Sequence, residues 1–365
     1  MKITQVEAIP VIIPFNTDWK ISTINDFGGG YVVLKLHTDE GITGIGEIGR
    51  WFEGECPSDI VNTCLNFFAP ILQAAPDPMN INAIMNQFRC TRERRFSKAL
   101  VDIALHDLKA KKLGVPVYQL LGGAYRDRIP VCQSLGIKSR EAIQKDLDLY
   151  LSQGFKAFKI KIGTDYDFDV KLVRMIREIV GPDIQLRVDA NEGYFGTTCI
   201  AALQEMEKCN LTLIEQPTSH IHMSTLKSIR NALHTPLLAC ESAMTPEATY
   251  ETIVNGAADI INIKIGRPMG FIGSKQMEAV AMAAGLPVCI GTMLEMGVGT
   301  AACAHLAASV RDFVDTSDIT GPTLLVDDIV TTPLTYKDGY LEVPQGVGLG
   351  VEIDEDKLQY YRLDK

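Results

Sequence analysis

The chain contains no run of about 18 apolar residues, so no membrane-crossing helix is expected. Basic residues are in the minority: 35 Lys and Arg stand against 45 Asp and Glu, a net charge of −10. Nucleic acid and acidic membrane surfaces select clustered Lys and Arg, so neither is an expected partner. The nine cysteines form no CxxC pair and are odd in number, which argues against a disulfide framework and against a zinc knuckle. The opening MKITQVEAIPVIIPF has no basic segment followed by an apolar stretch and a small-residue cleavage site. No signal peptide is therefore expected, and a reducing cytoplasm is the expected location. What remains is the composition of an ordinary globular protein, 46% hydrophobic and 22% charged. At 365 residues it exceeds one ordinary core, so two domains, or a barrel with an appendage, are expected.

The spacing of apolar runs separates the chain into parts. Lys2 to Pro14 and Tyr31 to Thr38 have the β-branched, near-alternating pattern of strands, and TDEGITGIGE (38–47) reads as a hairpin with Glu40-Gly41 at its turn. Helical patterns follow at about 57–73 and 97–112. From residue 130 the rhythm is regular. Strand candidates begin at VCQSLGI (131), FKAFKIKIG (155), QLRVDAN (185), LTLIEQP (211), PLLACES (236), IINIKIG (260), PVCIGTML (287) and FVDTSDI (313), 24 to 30 residues apart, with amphipathic helical patterns between most of them. A strand, a helix and two loops need about 25 residues, so the pattern predicts an α/β fold, a (β/α)8 TIM-type barrel; a doubly wound open sheet is the alternative. The expected division is an α+β capping domain at 1–125, the barrel at 126–320, and a segment at 321–365 that returns to the capping domain.

Active sites of such barrels lie at the C-terminal ends of the strands. Ionisable residues fall there on strand after strand: Lys159 and Lys161, Asp189 with Asn191, Glu215, Cys240-Glu241, Lys264 and Glu295. Side chains alternate along a strand, so Lys159 and Lys161 point the same way. Phe158, Ile160 and Ile162 suit packing under helices, which leaves both lysines facing the barrel axis. Lys161 then stands across the mouth from Lys264, four strands away. Carboxylates on successive strand ends repel one another unless a cation sits among them. Oxygen donors with open positions suit Mg²⁺, or Mn²⁺, better than zinc. A nearby divalent ion also lowers the proton affinity of a lysine, and such a site suits removal of a proton α to a carboxylate.

FKIKIG, RVDAN, LIEQP, INIKIG and GTMLE, in this order and spacing, resemble the enolase superfamily, specifically its muconate lactonizing (muconate cycloisomerase) subgroup. ALVDIALHDLKAKKLGVPVYQLLGG and DGYLEVPQGVGLGVEID extend the resemblance over almost the whole chain. It implies Lys161 and Lys264 as acid/bases on opposite faces of a small carboxylate substrate, with Lys159 easing the charge of the enolate and orienting Lys161. It implies Asp189 and Glu215 as ligands of Mg²⁺ (Mn²⁺ as a substitute), supported by Asn191, and Glu295 beside the substrate or the strand-six lysine. A specificity lid would form from about Trp19 to Tyr31 and from the loop after Glu47, including Trp51 and Phe52. A homo-oligomer is implied as well. Strand seven carries no histidine, unlike the mandelate racemase subgroup with its Lys/His pair.

Strand five departs from the subgroup, which has Asp-Glu where this chain has Cys240-Glu241. Thiolate is a soft ligand and a poor partner for Mg²⁺, so Glu241 is the expected third ligand. Adjacent strand residues face opposite ways, so this requires an irregular strand end. His106 and His305 are expected as satisfied core residues, and His220 and His222 as surface ones. Asp315-Thr-Ser-Asp318 lacks the Asp-x-Asp with which dipeptide epimerases hold an ammonium, which argues against that activity. Asp315 or Asp318 remains available to a cationic group.

The expected enzyme is an isomerase, a racemase/epimerase or cycloisomerase of a small carboxylate or amino-acid derivative. Dehydration of a hydroxy acid is the alternative within the superfamily. A Schiff-base lysine aldolase, and a binding protein whose Cys240 records a lost metal site, are the alternatives from other classes.

Overall fold

Alternation in the first fifty residues builds an antiparallel meander of β1 (Ile3–Lys20), β2 (Asn25–Thr38) and β3 (Thr43–Gly49), in that order. The structure is a computed structural model that describes residues 1–22, 25–49 and 54–365. Val11 and Ile13 are buried while Ile12 between them is exposed. Pro10 and Pro14 are tolerated because β1 is an edge strand. Gly41, at φ +75°, makes the expected turn between β2 and β3. The glycines of TGIGE have a packing reason: a Cβ at Gly44 would lie 2.5 Å from Ala104 O, and one at Gly46 would lie 2.7 Å from Leu100 O. Their absence lets the helix Arg95–Leu113 lie against β3.

The single helix expected over 57–73 is interrupted. Pro57–Thr63 and Ala69–Ala74 are joined by a π-turn at Cys64–Phe68. Pro70 has no N–H for the carbonyl of Asn66, and its ring crowds that carbonyl, so the turn before it widens. A short helix at Ile81–Gln87, capped by Asn80 Oδ1, has no counterpart among the sequence expectations.

The barrel sheet is parallel, with neighbours in chain order: β4 (Gln133–Leu135), β5 (Ala157–Lys161), β6 (Gln185–Asp189), β7 (Leu211–Glu215), β8 (Leu237–Ala239), β9 (Ile260–Ile263) and β10 (Val288–Ile290). Phe158, Ile160 and Ile162 are buried in the same apolar cluster as Leu172, Val173 and Ile176 of the helix Tyr166–Val180, as their alternation with the lysines predicts. The segment expected as an eighth strand is irregular. Its Phe313 bridges Val288 at one sheet edge, and its Ser317 bridges Val131 at the other, both parallel. Val314 N–H donates to Val288 O at 3.0 Å and Cys132 N–H donates to Ser317 O at 2.7 Å, so the circle closes through single bridges. A regular ladder is interrupted because the carbonyl of Thr316 is taken by Arg187 Nη1 at 3.2 Å. The tail pairs Tyr340–Glu342 with Arg128–Pro130 and returns to β1 through Phe15–Leu325 and Val11–Arg362 bridges. Among the described residues no helix is long and apolar enough to cross a membrane.

Two buried carboxylates join the capping layer to the barrel. Glu47 Oε1 accepts from Met296 N–H and its Oε2 from Gly299 N–H, both at 2.7 Å, at the start of the helix Gly297–Ala308. Asp102 Oδ2 accepts from Phe271 N–H at 2.5 Å, at the start of the helix Phe271–Ala283. Burial raises both carboxyls, and the free N–H groups at the positive ends of these helices oppose that. These are the helices that follow the Lys264 and Glu295 strand ends.

His305 is buried in the last turn of Gly297–Ala308, its Nε2–H donating to Leu349 O at 3.0 Å. Nδ1 has no partner among the described residues, so a second proton would be an uncompensated buried charge. Burial lowers this imidazole to about 4, against 6.5 unfolded. Its contribution is therefore complete above pH 6.5 and is lost as pH falls toward 4, because only the unfolded chain takes up the proton. The loss should reach about 3 kcal/mol. Urea unfolding between pH 7 and 4 should show a steeper loss for the wild type than for His305→Gln; equal slopes would remove this assignment.

Candidate functional site

Register places the first charges in one layer. Lys161 pairs with Asp189 across β5 and β6, and Asp189 with Glu215 across β6 and β7. Lys161 Nζ donates to Asp189 Oδ2 at 2.5 Å and to Asn191 Oδ1 at 2.7 Å. Lys159 Nζ, one layer deeper, donates to Glu215 Oε2 at 3.3 Å, lies 3.4 Å from Asp189 Oδ2, and pairs with Asp318. Glu215 Oε1 accepts from Asn262 Nδ2 at 2.9 Å. Lys264, just past β9, is buried. Its charge acts on Glu215 and Glu241, and across the barrel on Lys161.

The two β5 lysines are driven apart electrostatically. Burial lowers the proton affinity of Lys161, Lys159 and Lys264 add to that, and Asp189 only partly offsets it. For Lys159 burial acts in the same direction, but Glu215 and Asp189 outweigh it and hold the ammonium charged. Burial works to raise Glu215, yet Lys159, Lys161 and Lys264 hold that carboxyl far below the usual carboxylate range.

Strand five ends in the irregularity that Glu241 requires. β8 stops at Ala239, Cys240 turns to φ −116°, ψ −69°, and Glu241–Ala243 forms a 3₁₀ turn. Strand alternation is broken there. Glu241 Oε1 lies 3.3 Å from Arg267 Nη2 and 3.4 Å from Asn191 Nδ2. Burial raises the Glu241 carboxyl, Arg267 and Lys264 oppose this, and Asp189 and Glu215 add to it. Cys240 Sγ points elsewhere, to Arg267 Nη1 at 3.2 Å and Asn262 Nδ2 at 3.5 Å, and burial pushes the thiol well above its ordinary value.

Backbone strain collects at the same rim. Asn191 (φ +43°), Glu192 (+65°), Gln216 (+35°) and Leu294 (+61°) are non-glycine residues in the left-handed region at strand ends. Each such residue costs on the order of 1–3 kcal/mol, and they cluster at functional sites.

Glu295 is buried and turned onto its own loop, accepting from Thr292 Oγ1 at 2.5 Å and Met293 N–H at 2.9 Å, with the charge of Lys264 acting on it. Trp19 is buried in an apolar cluster with Phe15, Ile21, Tyr31 and Leu294, beside Gly136 past the end of β4. Close to it, Ser22 Oγ donates to Ala190 O at 2.8 Å, tying the start of the expected lid to the end of β6. Trp51 and Phe52 lie outside the described residues. Asp318 is engaged by Lys159 and Arg187, so its cationic partners come from the protein itself. His220 pairs with Glu192 at 2.7 Å on the rim, and His106 Nδ1 with Asp102 O at 2.8 Å in the core.

Three carboxylates thus stand at or just past successive strand ends, with the charge of Lys264 acting on Glu215 and Glu241 and with Lys159 and Lys161 beside Asp189 and Glu215. Among the described residues, no three His, Cys, Asp or Glu side chains stand in metal-ligating geometry, and the ammonium groups of Lys159 and Lys161 engage Asp189 and Glu215. The donor set nevertheless fits a hard cation. It is all oxygen, and Glu241 Oε2 is buried with no hydrogen-bond partner among the described residues.

The Mandelate racemase / muconate lactonizing enzyme N-terminal domain family matches residues 5–122, and the Enolase C-terminal domain-like family matches 142–357. Muconate cycloisomerase 1 of Acinetobacter baylyi is 32% identical over 98% of this chain and 98% of its own length. L-Ala-D/L-Glu epimerase of Bacillus subtilis is 31% identical over 96% of this chain and 97% of its own. The crystal structure of N-succinyl Arg/Lys racemase from Bacillus cereus superimposes with a TM-score of 0.94 at 31% identity, covering 100% of this chain and 98% of that one. Three activities stand at nearly the same identity.

Proposed function

The chain belongs to the mandelate racemase/muconate lactonizing enzyme family, and from that premise we propose that its strand-end site removes the proton α to a small carboxylate. It is an enzyme of isomerase type, a racemase/epimerase or cycloisomerase. The observation that carries the reading is the pair Lys161 and Lys264 on β5 and just past β9, with Asp189 and Glu215 on the strands between them and Glu241 on the turn just past β8.

Asp189, Glu215 and Glu241 would hold the cation, which we take to be Mg²⁺, with Mn²⁺ as a substitute. When bound, it supplies positive charge against the negative charge that builds on the substrate carboxylate as the proton leaves. Lys161, whose ammonium is already destabilised by burial, takes the α-proton on one face. Lys264 delivers a proton to the opposite face in racemisation, and the roles reverse for the other enantiomer. Cycloisomerisation uses one of these transfers. Lys159, held charged by Glu215 and Asp189, adds a fixed positive charge below the reacting carbon. Asn191 Oδ1 orients the Lys161 ammonium.

Incubation in D₂O with Mg²⁺ and a library of dipeptides, N-acyl amino acids and unsaturated diacids should place deuterium at the α-carbon of at least one compound. EDTA should stop the exchange and added Mg²⁺ or Mn²⁺ should restore it. Irreversible loss of activity on borohydride treatment with a carbonyl substrate, insensitive to EDTA, would replace this reading by Schiff-base chemistry.

A further inference from the structure

Glu241 reaches the site on a turn, and that turn is gathered around one side chain. Gln216 follows Glu215 and is fully buried. Its Oε1 accepts from Cys240 N–H at 2.9 Å, from Ser242 N–H at 3.1 Å and from Ser242 Oγ–H at 2.8 Å. Two of these donors are backbone N–H groups, which only donate, so the atom facing them is the amide oxygen. Nε2 donates in turn to Thr218 O at 3.0 Å. The amide is fixed at both ends.

This grip has a geometric consequence. One oxygen bonded to both nitrogens keeps them within about 6 Å of each other, whereas residues i and i+2 of an extended strand repeat at about 6.6–6.8 Å. The chain between Cys240 and Ser242 therefore cannot remain extended, and the residue between them, Glu241, is turned out of strand alternation. The same turn leaves Cys240 Sγ against Asn262 and Arg267. Gln216 holds its own left-handed backbone, φ +35°, while making these bonds.

We propose that Gln216 is the positioning residue that turns Glu241 into the site, so that the buried Oε2 of Glu241, which has no hydrogen-bond partner among the described residues, faces a divalent cation alongside Asp189 and Glu215. The inference rests on the cation reading given above. A buried amide of this kind has an ordinary structural role, closing a loop, and the two roles separate in a double-mutant cycle.

The experiment is Mn²⁺ titration of the full chain, read as free Mn²⁺ by electron paramagnetic resonance, on wild type, Gln216→Leu, Glu241→Gln and the double variant. Gln216→Leu keeps the volume and removes the acceptor, and should weaken Mn²⁺ binding by about 10–100-fold, the range for a residue that orients a ligand. In the Glu241→Gln background the same change should cost nothing further. An equal loss in both backgrounds, or no loss in either, overturns the role of Gln216. Should Gln216→Leu fail to fold, Ser242→Ala carries the test. Removing one of the three donors should weaken Mn²⁺ by roughly threefold when Glu241 is present and not when it is Gln; no difference overturns the proposal. Wild-type protein that takes up no Mn²⁺ overturns the cation reading itself, a result distinct from loss of the Gln216 effect.

Discussion

Lys161→Ala is expected to lower turnover by about 10²–10⁴-fold and to erase α-deuterium exchange from one face of the substrate, while Lys264→Ala erases it from the other. Both side chains are buried at strand ends, and the charge of Lys264 acts on Lys161. Their separation by four strands places them on opposite sides of the mouth. A substrate held between them meets a different ammonium on each face, so each deletion should be stereospecific. A general weakening of the site would instead reduce exchange from both faces together. Chiral analysis of the deuterated product distinguishes these outcomes. Exchange from both faces at wild-type rates in both variants would remove the lysines from the reaction. Asp189 loses one of its two lysine partners in Lys161→Ala, so metal binding is to be measured on the same variant. Intact Mn²⁺ affinity with one-sided exchange identifies the lysine as a proton carrier.

Much of this arrangement is legible before the fold is known. Alternation alone aims Lys159 and Lys161 at the barrel axis and puts Phe158 and Ile160 under the helices, and the structure places them so. Carried two residues back, the same rule reaches Arg187 from Asp189 and Asn262 from Lys264. Both are buried in the barrel and engage the charge layer, yet an arginine in RVDAN and an asparagine in INIKIG carry no label saying which ion they meet. Asp318 illustrates the limit. Its partners Lys159 and Arg187 stand 159 and 131 positions away, so only closure of the barrel brings them together. The eighth strand is misjudged for a related reason. Its apolar start predicts a ladder, while side chains from other strands take the carbonyl that the ladder needs. Pro70, by contrast, is a local signal: its missing N–H and its ring account for the wider turn before it. The lid expected from about Trp19 carries no such label either, since Trp19 is buried in an apolar cluster.

Glu241→Gln should weaken divalent-cation binding by more than the ~100-fold upper range of a supporting residue, whereas Cys240→Ala should leave it within about twofold, since a residue that touches neither cation nor ligand changes affinity little. Position favours Cys240, because the subgroup pattern puts its Asp there; donor chemistry and geometry favour Glu241. Mg²⁺ is a hard cation that selects oxygen, and thiolate is soft. The Cys240 thiol is held protonated by burial and lies against Arg267 and Asn262. Glu241, one residue on, escapes strand alternation through its turn and keeps one buried carboxylate oxygen without a hydrogen-bond partner among the described residues. The metal series separates the two candidates further. With three carboxylates, Mg²⁺ and Mn²⁺ should support exchange and Cd²⁺ should gain no advantage over them. With a thiolate in the set, Cd²⁺ would bind far more tightly in wild type than in Cys240→Ala. A large effect of Cys240→Ala together with a small one of Glu241→Gln would assign the third position to sulfur, and the turn around Gln216 would then serve the fold and not the site.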